Sequence, residues 1–266
     1  MSVAKNETTA KAGKVYNICI VGATGRMGKE INDAMRSHEY ADKCNLALAI
    51  NKNNQDEIAK INNDTIDIVI DFSSPSATKK LINHLIDVEF FGVVLIGTTG
   101  LTDDITNDIK RLSKYAKVVV SSNTSIGAMV AKKISAMVAK ILPEADIEIF
   151  ESHHKHKKDS PSGTAISLGK SMAQARGVEF DDVAVFGRSG SEARKDGEIG
   201  FCVSRGGGVV GEHSAMFFLE NEVIEVRHSA GNRCIFANGA IKIAMLCVAN
   251  KTSPCLVEGD DILDLL

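Results

Sequence analysis

The residues best suited to do chemistry in this chain lie in one stretch, Glu151-Ser152-His153-His154-Lys155-His156-Lys157-Lys158-Asp159. Three of the seven histidines fall within four positions, interleaved with lysines. A solvated charged loop, a metal site, a nucleic-acid contact and a small-anion site with acid–base chemistry all use such residues. Cationic neighbours oppose a dication and no carboxylate or cysteine pair completes a ligand set, so no metal is expected. The basic run is short and lacks interleaved aromatics, which argues against nucleic acid. The residues that follow favour the anion reading. Ser160-Pro161-Ser162-Gly163-Thr164 opens a helical pattern, and proline near a helix start loses no needed amide hydrogen. The amides of Gly163 and Thr164 could then meet a carboxylate. Asp159 could cap the helix or orient a cation. Among cations a histidine's pKa falls, which suits proton exchange near neutrality, and a lysine there can be tuned into a donor.

A second constellation lies near the start of the chain. Gly22, Gly25 and Gly28 form G-x-x-G-x-x-G between a strand-like run and a helical pattern. Such glycines permit a tight turn and close approach of a pyrophosphate at a helix N-terminus. The loop residues Gly22, Ala23, Thr24, Gly25, Arg26 and Met27 are the expected nucleotide contacts, with Arg26 able to pair with a phosphate. An ordinary strand–helix turn is the plain alternative, as is a solvated Arg26. The second strand ends in Ile50-Asn51-Lys52, without the acid that holds the ribose hydroxyls of NAD. Asn51 can bond a hydroxyl without repelling a phosphate, and Lys52 could attract a 2′-phosphate. NADPH, or use of both NADPH and NADH, is therefore expected. Gly97, Thr98 and Thr99 close the fourth strand, and Ser121, Ser122, Asn123 and Thr124 follow the fifth. Both groups are expected on the rim beyond the strands' carboxyl ends, where open parallel sheets bind ligands.

The elements that must position these groups alternate regularly at first. Strands are expected at Val15–Val21, Leu46–Ile50, Thr65–Phe72, Val93–Ile96 and Val118–Ser121, with helices through Met35, over Ala77–Val88 and over Thr102–Ala116. This predicts a doubly wound, Rossmann-like parallel sheet. After Asn123 the pattern changes. Helices are expected at Gly127–Ile141 and Ser162–Arg176, a strand at Asp146–Phe150, and a loop over the histidine–lysine stretch. Short strands separated by glycine-rich turns fill Val183–Phe236, predicting an α+β domain with a mostly antiparallel open sheet. A last helix spans Phe236–Val248. The expected division is residues 1–124 with 235–266 for dinucleotide binding, after a flexible tail over 1–14, and 125–234 for substrate binding and assembly.

Composition bounds the partners. Net charge is −3, with no overall basic footprint for nucleic acid or anionic membrane. No apolar run approaches the ~20 residues of a membrane span, and the polar N-terminus lacks a secretory h-region. The six cysteines form no C-x-x-C pair and read as reduced thiols of a cytoplasmic protein.

GATGRMG, DFSSP, GTTG, SSNTSIG, GEHSAMF, GNRCIFANGA and above all ESHHKHKKDSPSGTA resemble the dihydrodipicolinate reductase family over Val15 to Val248. The resemblance implies a reductase of lysine and diaminopimelate biosynthesis. Its substrate would be a cyclic dicarboxylate, 4-hydroxy-tetrahydrodipicolinate, that loses water and accepts a nicotinamide hydride. It implies His153 as the acid–base residue and Lys157 as the catalytic donor. His154, Gly163, Thr164 and Arg233 would be substrate contacts, with Arg233 near the carboxylates. It also implies a homotetramer built through the open sheet. Three positions depart from the family pattern: Asn51 replaces an acid, Thr124 a Phe or Met, and Ser160 an Ala. Two other classes stand beside this reading. A nicotinamide-binding redox sensor would not need His153, Lys157 and the S-G-T helix start together. A semialdehyde dehydrogenase would need a nucleophilic cysteine, for which Cys234 is the candidate.

Overall fold

The computed structural model describes residues 14–249 and 253–265, so nearly all of the expected N-terminal tail lies outside the described residues. The chain divides into two compact units, Met1–Val118 with Lys251–Leu256 and Val119–Asn250 with Val257–Leu266.

The first unit is laid down by short apolar runs alternating with amphipathic helices. Its elements are β1 (Tyr16–Val21), α1 (Arg26–Met35), β2 (Cys44–Ile50), β3 (Ile68–Asp71), α2 (Pro75–Asp87), β4 (Val93–Ile96), α3 (Asp103–Leu112) and β5 (Lys117–Val120). β3 and β4 are buried at every position, as strands covered on both faces must be. β2 is buried at its ends, Cys44 and Ile50, and alternates between exposed and half-buried in between, because it lies at the sheet's edge. α2 starts with Pro75 in its first turn. α3 places Asp103 and Asp104 in its first turn and Lys110 and Arg111 in its last, matching the helix dipole. A late strand, β11, completes a six-stranded sheet in the order β11-β5-β4-β3-β1-β2; it spans Cys255–Glu258. β1 pairs in parallel with both β2 and β3. The chain therefore reverses direction across the sheet at β1, and the crevice beyond β1 and β3 is a topological switch point.

The second unit contains α4 (Ile126–Ile141), β6 (Asp146–His153), α5 (Gly163–Arg176), α6 (Phe180–Val183), β7 (Ala184–Phe186), β8 (Ile199–Arg205), β9 (Gly211–Phe218), β10 (Val223–Ala230) and α7 (Cys234–Ala249). Its five-stranded sheet runs β10-β9-β6-β8-β7. Expected as mostly antiparallel, this sheet is mixed. β9 pairs antiparallel with β10 and β6, while β8 pairs parallel with β6 and β7. The cause is α5, which carries the chain from β6 to β7 and so returns it in the same direction. Gly177 ends α5 in the left-handed conformation, with φ of 72°.

One face of this sheet buries Ile147, Ile149, Phe201, Ala215 and Phe217, together with Leu168 and Met172 of α5. The period-2 alternation of β6 puts Glu151 and His153 on the same face as Ile147 and Ile149. Two serines cap the helices of this unit. Ser125 Oγ accepts from the Ala128 amide at the start of α4, and Ser162 Oγ from the Ala165 amide at the start of α5. α7 is anchored at Gly239, where a Cβ would fall 1.8 Å from the Thr124 carbonyl oxygen. No helix among the described residues is long and apolar enough to cross a membrane.

Candidate functional site

In the first unit the glycine loop forms the floor of a cavity of about 240 Å³ at the switch point. Gly22 takes φ of 87°, and a Cβ there would lie 2.3 Å from the Phe72 carbonyl oxygen. A Cβ on Gly28 would lie 2.3 Å from the Gly22 carbonyl oxygen. Loop, helix and the segment after β3 are thus in backbone contact, which no other residue type allows. Gly25 is the N-cap of α1 and offers no side-chain cap, and the first turn holds no acid. The first-turn amides of Arg26 and Met27 therefore have no helical acceptor. An uncapped, acid-free helix start facing a cavity fits the phosphates of a dinucleotide.

Gly22, Thr24, Gly25, Asn51 and Lys52 line this cavity. Ala23 is held by its amide to the Ile50 carbonyl, and Arg26 is exposed on the first turn of α1. Asn51 is partly committed to its own turn: its side chain accepts from the Asn53 amide at 2.9 Å. The cavity also uses Gln55, Phe72, Ser73 and Ser74, which sequence reasoning missed. The D-F-S-S-P string after β3 was their available signal.

The rim after β4 differs from a row of equivalent contacts. Thr99 is exposed, but Thr98 is buried and donates its hydroxyl to Asp71 Oδ2 at 3.1 Å while accepting from the Ser73 amide at 2.9 Å. Asp71 is fully buried and accepts hydroxyls of Ser73 and Thr78 as well, and burial raises its pKa. Thr98 thus braces the Phe72–Ser74 wall from behind. Gly97 is bare because the Phe72 ring fills the space of its Cβ.

In the second unit the two residues expected to exchange protons are placed differently: His153 ends a strand, and Lys157 lies in the loop that follows. His153 is the last residue of β6 and 8% exposed, not part of a solvated loop. Its Nδ1 lies 2.7 Å from Glu151 Oε2 in an ion-pair contact that is not lined up as a straight hydrogen bond. Glu151 Oε1 accepts from Arg205 Nη2 at 3.0 Å and from the Ser162 amide at 2.9 Å. Burial works to raise the Glu151 pKa, but Ser162, Arg205 and His153 together hold it below the usual carboxylate range. Burial pushes the His153 pKa down; Glu151 opposes this, and Lys157 and Arg205 add to it.

His213 on β9 pairs in register with Glu151, and its Nε2 meets Ser162 Oγ at 3.0 Å. Its pKa is pushed down to about 4, first by burial and then by His153. Glu151, His153 and His213 offer donor atoms within 4.8 Å of one another. Glu151 thus adds a carboxylate to two histidines, which corrects the expectation that none would join them; Arg205 pairs with Glu151, Ser162 bonds His213, and Lys157 lowers the His153 pKa. Lys157 Nζ lies 2.9 Å from Asp159 Oδ2, which holds the Asp159 carboxyl below its usual range.

A cavity of about 170 Å³ opens beside this cluster. Gly163, Thr164 and His213 line it, together with Ser121, Ser122, Asn123 and His228. Asn123 Nδ2 donates to Thr164 Oγ1 at 3.1 Å, and Ser121 Oγ donates to the Asn123 carbonyl at 2.7 Å. The expected rim residues therefore meet the expected anion-binding helix start. Thr124 stands apart: it is buried, and its hydroxyl donates to the Phe236 carbonyl at 2.6 Å. His154 is half-buried, with its ring 6.2 Å from that of His156. Arg233 is half-buried just before α7 and does not line the cavity. Arg205, His213 and His228 were missed by sequence reasoning, and Glu151 was named there without a role. Their signal was phase, because each histidine alternates in step with apolar residues of its strand.

A family model described as the dihydrodipicolinate reductase N-terminus matches residues 16–124, and one for its C-terminus matches residues 127–263. A 4-hydroxy-tetrahydrodipicolinate reductase of Campylobacter jejuni subsp. doylei is 40% identical over 234 residues, covering 87% of this chain and 90% of that one. One from Helicobacter hepaticus is 37% identical over 252 residues, covering 92% and 98%. A dipicolinate-bound dihydrodipicolinate reductase from Paenisporosarcina has the same fold, with a TM-score of 0.73 over 93% of this chain and 99% of that one at 23% identity.

Proposed function

Because this chain belongs to the dihydrodipicolinate reductase family, we propose that it reduces 4-hydroxy-tetrahydrodipicolinate to tetrahydrodipicolinate with NAD(P)H. The observation that carries this reading is the Glu151–His153 pair buried against the start of α5. There a proton-exchanging imidazole adjoins a helix end suited to a carboxylate.

A bound nicotinamide would supply the hydride. The chain's own residues do the rest. The α1 start and the Gly22–Gly25 loop would hold the phosphates, and Asn51 and Lys52 would meet the adenosine ribose. Lys52 favours a 2′-phosphate and hence NADPH, with NADH as the second cofactor. Gly97, Thr99, Ser121, Ser122 and Asn123 are the residues proposed to contact the nicotinamide end. Elimination of water needs a proton at the departing oxygen, and hydride arrival leaves charge that must take up a proton. His153 and Lys157 carry these transfers. Gly163 and Thr164 bind one carboxylate through the helix start, His154 assists, and Arg233 takes the other. Nucleotide binding thus belongs to the half carrying Gly22–Gly28, and substrate binding to the half carrying His153–Thr164.

The outer face of the second sheet leaves Phe150 and Val223 exposed. Such a patch supports assembly, and a homotetramer is the proposed form. Free cysteines throughout the described residues suit the cytoplasm.

The test couples purified protein to a synthase that generates the hydroxylated substrate and follows NADPH and NADH oxidation separately. Substrate-dependent oxidation is expected with both. No oxidation with either cofactor sinks the proposal.

A further inference from the structure

One carboxylate joins the two parts that the proposed chemistry needs. Glu151 Oε2 touches His153 Nδ1 at 2.7 Å, while Oε1 takes the Ser162 amide at 2.9 Å and Arg205 Nη2 at 3.0 Å. Ser162 is the N-cap of α5, the residue before Gly163 and Thr164. Arg205 comes from β8, in register with His153, and also donates to the Asp159 carbonyl at 2.6 Å. Asp159 in turn holds Lys157. Glu151 is 3% exposed, and among the described residues neither Oε2 nor His153 Nδ1 has a straight hydrogen-bond partner.

We propose that Glu151 is a positioning residue that fixes the tautomer and orientation of His153 and locks the start of α5. A carboxylate facing Nδ1 keeps the proton on that nitrogen, which leaves Nε2 as the nitrogen that exchanges. Its negative charge also favours the imidazolium that forms when Nε2 takes a proton. The same side chain, through the Ser162 amide, sets the helix end against the imidazole. The distance between proton donor and carboxylate site is thereby built into one residue. Gly211 completes the seat, since a Cβ there would lie 3.0 Å from His153 Nε2. The charged groups around the ring are Glu151 on its own strand, Arg205 on β8, His213 on β9, and Lys157 with Asp159 in the following loop. His228 on β10 acts on His213.

This inference rests on His153 as the acid–base group, so the test separates the two. Histidine-labelled protein is examined by nitrogen–proton NMR, and the His153 signals are assigned by their loss in His153→Gln. Wild-type protein is expected to show His153 protonated at Nδ1. Glu151→Gln is expected to lower its titration midpoint by about one pH unit, since the raising partner is gone. It should cut kcat at least about tenfold and leave NADPH affinity within about twofold. A wild-type His153 protonated at Nε2 overturns the proposal even if Glu151→Gln does not fold. An unchanged tautomer and midpoint in Glu151→Gln also overturns it, whatever happens to activity. If the NMR changes appear but wild-type protein never turns over the substrate, the positioning role stands and the reductase reading fails.

Discussion

His213 and His228 stand directly opposite each other on β9 and β10, and each meets the serine that caps a different helix. His213 Nε2 is 3.0 Å from Ser162 Oγ of α5, and His228 Nε2 is 3.3 Å from Ser125 Oγ of α4. Each serine accepts a helix amide, so its hydroxyl hydrogen is free to be given to the imidazole. Two neutral histidines thereby pin two helix starts to one sheet. Loss of a cap costs about 0.5–2 kcal/mol. Ser125→Ala and Ser162→Ala should each lower stability to urea by that amount. Only Ser162→Ala should also raise KM for the dicarboxylate, because only α5 is proposed to bind it. Equal KM effects would remove that distinction.

Stability should fall on mild acidification. His213 has a folded pKa of about 4 because it is buried beside His153, whereas an unfolded histidine titrates near 6.5. As pH falls from 6.5 toward 4 the unfolded chain binds a proton that the folded chain refuses. Stability is therefore full above pH 6.5 and is lost progressively down to pH 4. Between pH 7.5 and 5 the loss from this one group is at most about 2 kcal/mol. His153 and His228, both lowered by burial, add in the same direction. Urea unfolding across that range should show the slope, and His213→Gln should flatten it. A slope unchanged in the variant would assign it elsewhere.

His153→Gln and Lys157→Met should each lower kcat by about 100-fold or more, the scale of general acid–base catalysis. The cofactor cradle is built from other residues, so fluorescence titration with NADPH should give an unchanged Kd. A parallel loss of NADPH affinity would argue against proton-transfer roles.

Lys52→Glu tests the cofactor preference. Lys52 is exposed at the end of β2 and lines the same cavity as the glycine loop. Replacing its charge should weaken NADPH by at least about tenfold, or 1.4 kcal/mol, and leave NADH little changed. A loss shared equally by both cofactors would show that Lys52 does not read the 2′-phosphate.

Five strands of the first sheet were readable in the sequence, most plainly β1, β3 and β4, which are short β-branched runs ended by glycine or by Ser-Ser-Pro, whereas β11 comes from the far end of the chain and was missed. Gly177 marked the end of α5 just as plainly. The histidine–lysine stretch was harder. Its charges suggested a loop, yet Glu151 and His153 sit in phase with Ile147 and Ile149 and belong to a strand. His213 and Arg205 could not be paired with Glu151 by eye, since more than fifty residues separate them and only sheet register brings them together. Thr98 shows the opposite limit. Its place after β4 suggested a ligand contact, but a buried acid twenty-seven residues earlier had claimed its hydroxyl.

The contact of Gly239 with Thr124 has a consequence for reading loss-of-function alleles. The Thr124 carbonyl fills the space a methyl at 239 would need, and Asn123 and Ser121 lie next along the chain. Gly239→Ala would push on that rim through the main chain without touching a ligand. Kinetics alone would then report a binding defect whose origin is a crowded helix, and a loss of thermal stability would reveal the difference.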